Sequence, residues 1–234
     1  MIRLPDTIVF DLDGTLVDTG PDLTAALNHA LGELGRSPVP LAQVRDMVGH
    51  GARKLLERGL AATGEMTTDL IDAGFPLFMD FYRTNICVHS VPYPGVERAM
   101  DALATAGARL AVCTNKPQGL SEQLLGALGW TDRFAAIVGA DAVPERKPHP
   151  DHLLTTIARA GGERASTAYV GDSIVDVTTA KAADVPVIAV SFGFPDRPVE
   201  TLGADQIIDN YDELIPALSR LGASATWSRG AAPA

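Results

Sequence analysis

Cysteine is scarce in this chain: Cys87 and Cys113 are the only two in 234 residues. Two thiols build no disulfide framework, and such sparing use fits a reducing compartment. No run of about 18 apolar residues occurs, so no membrane-spanning helix and no membrane partner are expected. The opening Met1-Ile2-Arg3-Leu4-Pro5-Asp6 lacks the apolar core of a secretory signal. A cytoplasmic location is the resulting expectation. Lys and Arg form no block and the net charge is −10, so nucleic acid is not an expected partner. No Gly-x-Gly-x-x-Gly follows a strand, which disfavours a dinucleotide-binding module. No internal repeat is visible, and monomer and homodimer both stay open.

What is present is an ordinary globular composition, 46% hydrophobic and 21% charged. Short apolar runs at 8–11, 109–114, 135–138, 167–170, 187–190 and 206–208 read as strands. Amphipathic stretches at 95–106, 119–128, 150–160 and 173–183 read as helices. Strands alternating with helices imply an α/β fold, a doubly wound, Rossmann-like parallel sheet covered on both faces. Between Leu16 and His89 the alternation stops, and only helical patterns are found. Pro21-Asp22-Leu23 opens one helix with proline at its start and an acid in its first turn. Further helices are expected over 41–47, 52–62 and 67–85, the last kinked or split at Pro76. One crossover rarely needs some seventy residues. The expected organisation is a core of 1–15 and 90–222, a helical insertion of 16–89, and a disordered tail of 223–234.

The most informative stretch is Asp11-Leu12-Asp13-Gly14-Thr15, directly after the first apolar run. Residues two apart on an extended chain point to the same side, so two carboxylates meet where the strand ends. The C-terminal strand ends of such a sheet are where ligands bind. Acids placed there suit a divalent-metal site with a carboxylate nucleophile. Three other strand ends carry polar chemistry. Thr114 and Asn115 can hold a phosphoryl oxygen, or can cap a helix. Lys147, within Glu145-Arg146-Lys147-Pro148-His149-Pro150, can aim one ammonium at the site, or lie on a solvated loop. Asp172 and Asp176, in Gly171-Asp172-Ser173-Ile174-Val175-Asp176, share a face if a helix starts at Ser173; Asp172 or Ser173 can equally cap it.

Taken together, acid pair, hydroxyl, lysine and acid pair resemble the haloacid dehalogenase-like phosphatase superfamily. The resemblance runs from the first strand to the fourth. The insertion looks like that superfamily's small α-helical cap domain. Its stretch Val48-Gly49-His50-Gly51-Ala52-Arg53-Lys54 is similar to the cap loop of phosphoglycolate phosphatases. The resemblance implies Mg²⁺ held by Asp11, the Asp13 backbone carbonyl and Asp172, with Asp176 and Ser173 behind them. It implies Asp11 as nucleophile, Asp13 as acid and base, and Thr114 and Lys147 on the phosphoryl oxygens. Crowding among Asp11, Asp172 and Asp176 is expected to raise the Asp13 pKa. Asn115, Gly49 and Arg53 are candidates for substrate contact, Arg53 or Lys54 by pairing with a substrate carboxylate. His50, Arg83, His89 and Trp130 carry no expected role. The implied activity is hydrolysis of a small phosphomonoester, 2-phosphoglycolate first. Another sugar phosphate or sugar-acid phosphate, or a phosphosugar mutase, is the alternative on the same scaffold. A non-enzymatic phospho-acceptor module, like a receiver domain, is disfavoured by the insertion and the length. Asp13 disfavours the dehalogenase branch.

Overall fold

The computed structural model describes residues 4–195 and 197–224. Six parallel strands form the central sheet: β1 (Thr7–Phe10), β4 (Arg109–Cys113), β5 (Ala136–Val138), β6 (Thr167–Gly171), β7 (Val187–Val190) and β8 (Gln206–Ile208), in the order β5-β4-β1-β6-β7-β8. β1 pairs in register with β4 on one side and β6 on the other. The chain therefore builds outward through β4 and β5, then returns to start again at β6. That reversal beside β1 is the topological switch point, where open α/β sheets form their crevice.

Strand β1 shows why these residues choose this place. All four of its residues are buried, as both faces of a parallel sheet require. Ile8 and Phe10 enter one apolar cluster with α5 (Val96–Thr105), α6 (Gln118–Ala127) and α9 (Leu214–Ser224). Val9 enters the opposite cluster with α7 (Pro150–Arg159) and α8 (Ile174–Ala182). Alternation with period two thus feeds two cores from one strand. Each such side chain contributes about 1.5–3 kcal/mol by leaving water.

Between β1 and β4 lie α1 (Gly20–Glu33), α2 (Leu41–Arg45), α3 (Ala52–Thr63) and α4 (Thr68–Thr84), with α1 packing on the other three or touching them. Leu23, Ala26, Leu27, Ala30 and Leu31 supply the buried face of α1. Of the kink or split expected at Pro76, the split does not occur: the last of these helices runs unbroken from Thr68 to Thr84. Two further expectations need correcting. The stretch read as strand-free contains a two-residue strand, β2 (Val17–Asp18), paired antiparallel with β3 (Val91–Pro92). Two residues show no periodicity, so a ladder this short leaves no sequence signal. Helix α9 continues to Ser224, past the expected start of the tail at 223. The rest of that expected tail lies outside the described residues.

The exit and return of the helices are also joined by Asp22, in the first turn of α1. Its buried carboxylate accepts from the Val88, His89 and Ser90 N–H groups at 2.8–3.0 Å and from Ser90 Oγ at 2.7 Å. The acid that sequence explains as a dipole partner is here a clamp on a segment 66–68 residues away.

Candidate active site

Asp11 follows β1 directly, and Asp172 follows β6. Because β1 and β6 are neighbours in register, the two acids emerge side by side. Oxygens of Asp11, Asp172 and Asp176 all lie within 4.8 Å of one another, and all three residues are buried. The turn after Asp13 makes this approach possible. Gly14 has φ +83°, and a Cβ there would stand 2.4 Å from Asp172 Oδ2. Only glycine takes that conformation cheaply and leaves that space.

Lys147 lies behind the acids, its side chain 1% exposed. Its Nζ is 3.0 Å from Asp11 Oδ1 and 2.7 Å from Asp176 Oδ1, and 2.9 Å from Tyr169 Oη. Asp176 also accepts from Ser173 Oγ at 2.7 Å, and from the Ser173 and Asp172 N–H groups at 3.0 and 3.2 Å. Burial alone would raise the Asp176 carboxyl, but Lys147, Ser173 and Tyr169 hold it below the ordinary range. Both its oxygens are thus already engaged. Although Asp176 stands within reach of a shared cation, its chemistry is that of a strut for Lys147 and for the start of α8.

Asp11 and Asp172 are different. Burial pushes the Asp11 carboxyl up to about 7, Lys147 pulling the other way and Asp176 and Asp13 adding to the rise. Burial, then Asp176 and Asp11, raises the Asp172 carboxyl well above its usual value. Two neutral groups donate to it: Thr15 Oγ1 to Oδ1 at 2.9 Å, and the Phe194 N–H to Oδ2 at 2.7 Å. Two crowded carboxylates with so little positive charge are a donor set that fits a hard divalent cation.

The Asp13 carboxylate is paired with Lys116, Nζ to Oδ1 being 2.9 Å. Lys116 was not singled out by sequence, since its partners are 34 and 103 residues away. Tyr82, from α4, is the second of these partners, its Oη 2.6 Å from Lys116 Nζ. Burial pushes the Tyr82 hydroxyl up to about 12, so it stays protonated at neutral pH.

A cavity of about 50 Å³ opens between the helices and the sheet, lined by Asp11, Asp13, Thr114, Asn115 and Lys116 on one side and by Gly49, Leu55 and Tyr82 on the other. Thr114 Oγ1 accepts from the Lys116 N–H at 3.2 Å. Asn115 Nδ2 donates to the Lys147 carbonyl at 3.1 Å, which ties the two loops together, while its buried Oδ1 has no partner. Arg53 is not among the residues lining the cavity. It pairs with Asp72 at 2.6 Å on the surface and lies over the Phe75 ring. Lys54 likewise pairs with Glu57 at 2.8 Å. Among the described residues no helix is long and apolar enough to cross a membrane.

Comparison with known proteins gives the same picture. The profile of the haloacid dehalogenase-like hydrolases matches residues 8–190. A phosphoglycolate phosphatase of Caulobacter vibrioides is 47% identical over 206 residues, covering 88% of this chain and 87% of its own. One from Rhodospirillum rubrum is 40% identical and covers 98% of this chain and 100% of its own. The crystal structure of a predicted phosphoglycolate phosphatase from Haemophilus somnus 129pt superposes with a TM-score of 0.86 at 30% identity, covering 92% and 99% of the two chains. The chain belongs to the haloacid dehalogenase-like hydrolase family.

Proposed function

We propose that this chain is a Mg²⁺-dependent phosphatase that hydrolyses a small phosphomonoester, 2-phosphoglycolate, to glycolate and phosphate. One observation carries the reading. A carboxylate on the cavity wall, Asp11, stands beside a second acid, Asp172, and is backed by a fixed ammonium, Lys147. The relatives named for phosphoglycolate support the choice of substrate. The cavity has room for only a few water molecules, which suits a small ligand.

In this reading Asp11 attacks phosphorus and forms an aspartyl-phosphate while the ester oxygen leaves. Asp13 gives that oxygen a proton, then takes one from the water that attacks the intermediate. Thr114 offers its O–H to a phosphoryl oxygen, and Lys147 offsets the charge gathering there. Asp176, Tyr169 and Ser173 hold Lys147 and Asp172 in place. The Asp11 and Asp172 carboxylates and the Asp13 carbonyl would hold Mg²⁺, which supplies further charge compensation for the phosphoryl group. The loop carrying Gly49 and the helix carrying Tyr82 act as the cap over the site.

The test is phosphate release from a panel of small phosphomonoesters, with and without Mg²⁺, for wild type and Asp11→Asn. Fast, Mg²⁺-dependent release from 2-phosphoglycolate, lost in the variant, is expected. Slow release from every ester would overturn the reading and favour a mutase or a phospho-acceptor.

A further inference from the structure

Besides Lys147, the site holds a second positive charge, Lys116, paired with Asp13. Lys147 is committed to Asp11 and Asp176. Lys116 is the single cation among the residues that line the cavity. It is buried, its side chain 3% exposed. An ammonium has three donors. They reach Asp13 Oδ1 at 2.9 Å and, more weakly, Oδ2 at 3.3 Å, and Tyr82 Oη at 2.6 Å, and Nζ also sits over the Tyr82 ring, 4.6 Å from its centroid. The neighbouring wall, Leu23, Val48, Leu55 and Leu120, is apolar. An anion entering here finds no other counter-charge on the lining, and burying one unpaired is costly.

From this geometry we infer that Lys116, braced by Tyr82, is the specificity-determining residue that recognises a carboxylate on the non-reacting end of the substrate. The inference rests on the phosphatase reading and assigns the role that sequence gave to Arg53. Lys116 comes from the loop after β4 and Tyr82 from α4, so the recognising pair spans the sheet and the helical layer. Their contact gives the helices a direct part in selectivity.

The experiment compares 2-phosphoglycolate with ethyl phosphate, which replaces the carboxylate with a methyl group. The quantity read is the ratio of the two kcat/KM values in wild type, Lys116→Met and Tyr82→Phe. Lys116 also pairs with Asp13, so both rates fall in Lys116→Met; the ratio isolates recognition. It is expected to drop by about 10- to 100-fold in Lys116→Met, the range for losing a charge-assisted hydrogen bond. A smaller drop in the same direction is expected in Tyr82→Phe. Glycolate affinity, measured by titration calorimetry on the folded variants, is expected to weaken in parallel and needs no turnover. A wild-type preference for 2-phosphoglycolate that survives in Lys116→Met would overturn the inference while leaving the phosphatase reading intact. Equal losses on both esters would assign Lys116 a purely structural role. A wild type inactive on both esters would sink the phosphatase reading itself.

Discussion

Asp22→Ala removes the clamp between the first helix and the segment where the chain returns to the sheet. Asp22 is 1% exposed and accepts three backbone N–H groups and one hydroxyl. These bonds do not cost the same to lose. Val88 is 59% exposed, so water replaces Asp22 at its N–H. Ser90 is 6% exposed, and its N–H and Oγ lose a charged partner where water does not reach them easily. A buried donor left unpaired costs about 1–3 kcal/mol, and two of them plus a small cavity give about 3–5 kcal/mol. At about 2–4 °C per kcal/mol for a chain of this size, the melting temperature falls by about 6–20 °C. Asp22→Asn keeps one acceptor oxygen and is expected to lose about half as much. Urea denaturation followed by circular dichroism measures both variants. A shift below about 1 kcal/mol for Asp22→Ala would refute the clamp, because exposed acids of a first turn cost that little.

Other substitutions test separate parts of the structure. Gly14→Ala forces a Cβ to within 2.4 Å of Asp172 Oδ2 at φ +83°, so Asp172 must move. Raised half-saturation for Mg²⁺ and a stability loss of about 1–3 kcal/mol are expected, read from a Mg²⁺ titration of activity and from thermal melts. Arg53→Ala breaks an exposed pair with Asp72, worth at most about 1 kcal/mol, and a contact with the Phe75 ring. Its kcat/KM for 2-phosphoglycolate is expected to stay near wild type; a selective loss on carboxylated esters would restore Arg53 to the site. His152 is held neutral: burial first, then Lys147 and Arg159, lower its pKa to about 4 from 6.5. The unfolded chain therefore binds the extra proton first. The stability tied to neutral His152 is complete above about pH 6.5 and is lost as pH falls towards about 4. His152→Gln, which can replace both ring-nitrogen contacts to Lys147 N and Val138 O, is expected to flatten urea midpoints across that window. An unchanged pH slope would contradict this assignment.

The sheet was legible because its inner strands β1, β6 and β7 are buried throughout and its strands read as short apolar runs. Asp11, Asp13, Thr114 and Asp172 were legible as polar residues placed where those runs stop, whereas Lys147 lies in the longer loop between β5 and α7. The remainder depends on partners distant in sequence. Lys116 stands in plain view after Thr114 and Asn115, yet its significance comes from Tyr82 on a helix and from Asp13 at the first strand end. Asp22 satisfies a local rule for helix starts, which hides its reach to Ser90. Arg53 has a residue type that suits a carboxylate, and in the structure it pairs with a surface acid, Asp72, away from the cavity lining.

The central claim is that Asp11 accepts the phosphoryl group. The direct measurement is to quench the protein in acid during turnover of 2-phosphoglycolate, digest it, and weigh the peptide that contains Asp11. One added phosphoryl group on that peptide in wild type, and none in Asp11→Asn, is the expected result. Steady turnover with Asp11 never carrying a phosphoryl group, or an Asp11→Asn variant as fast as wild type, would contradict it.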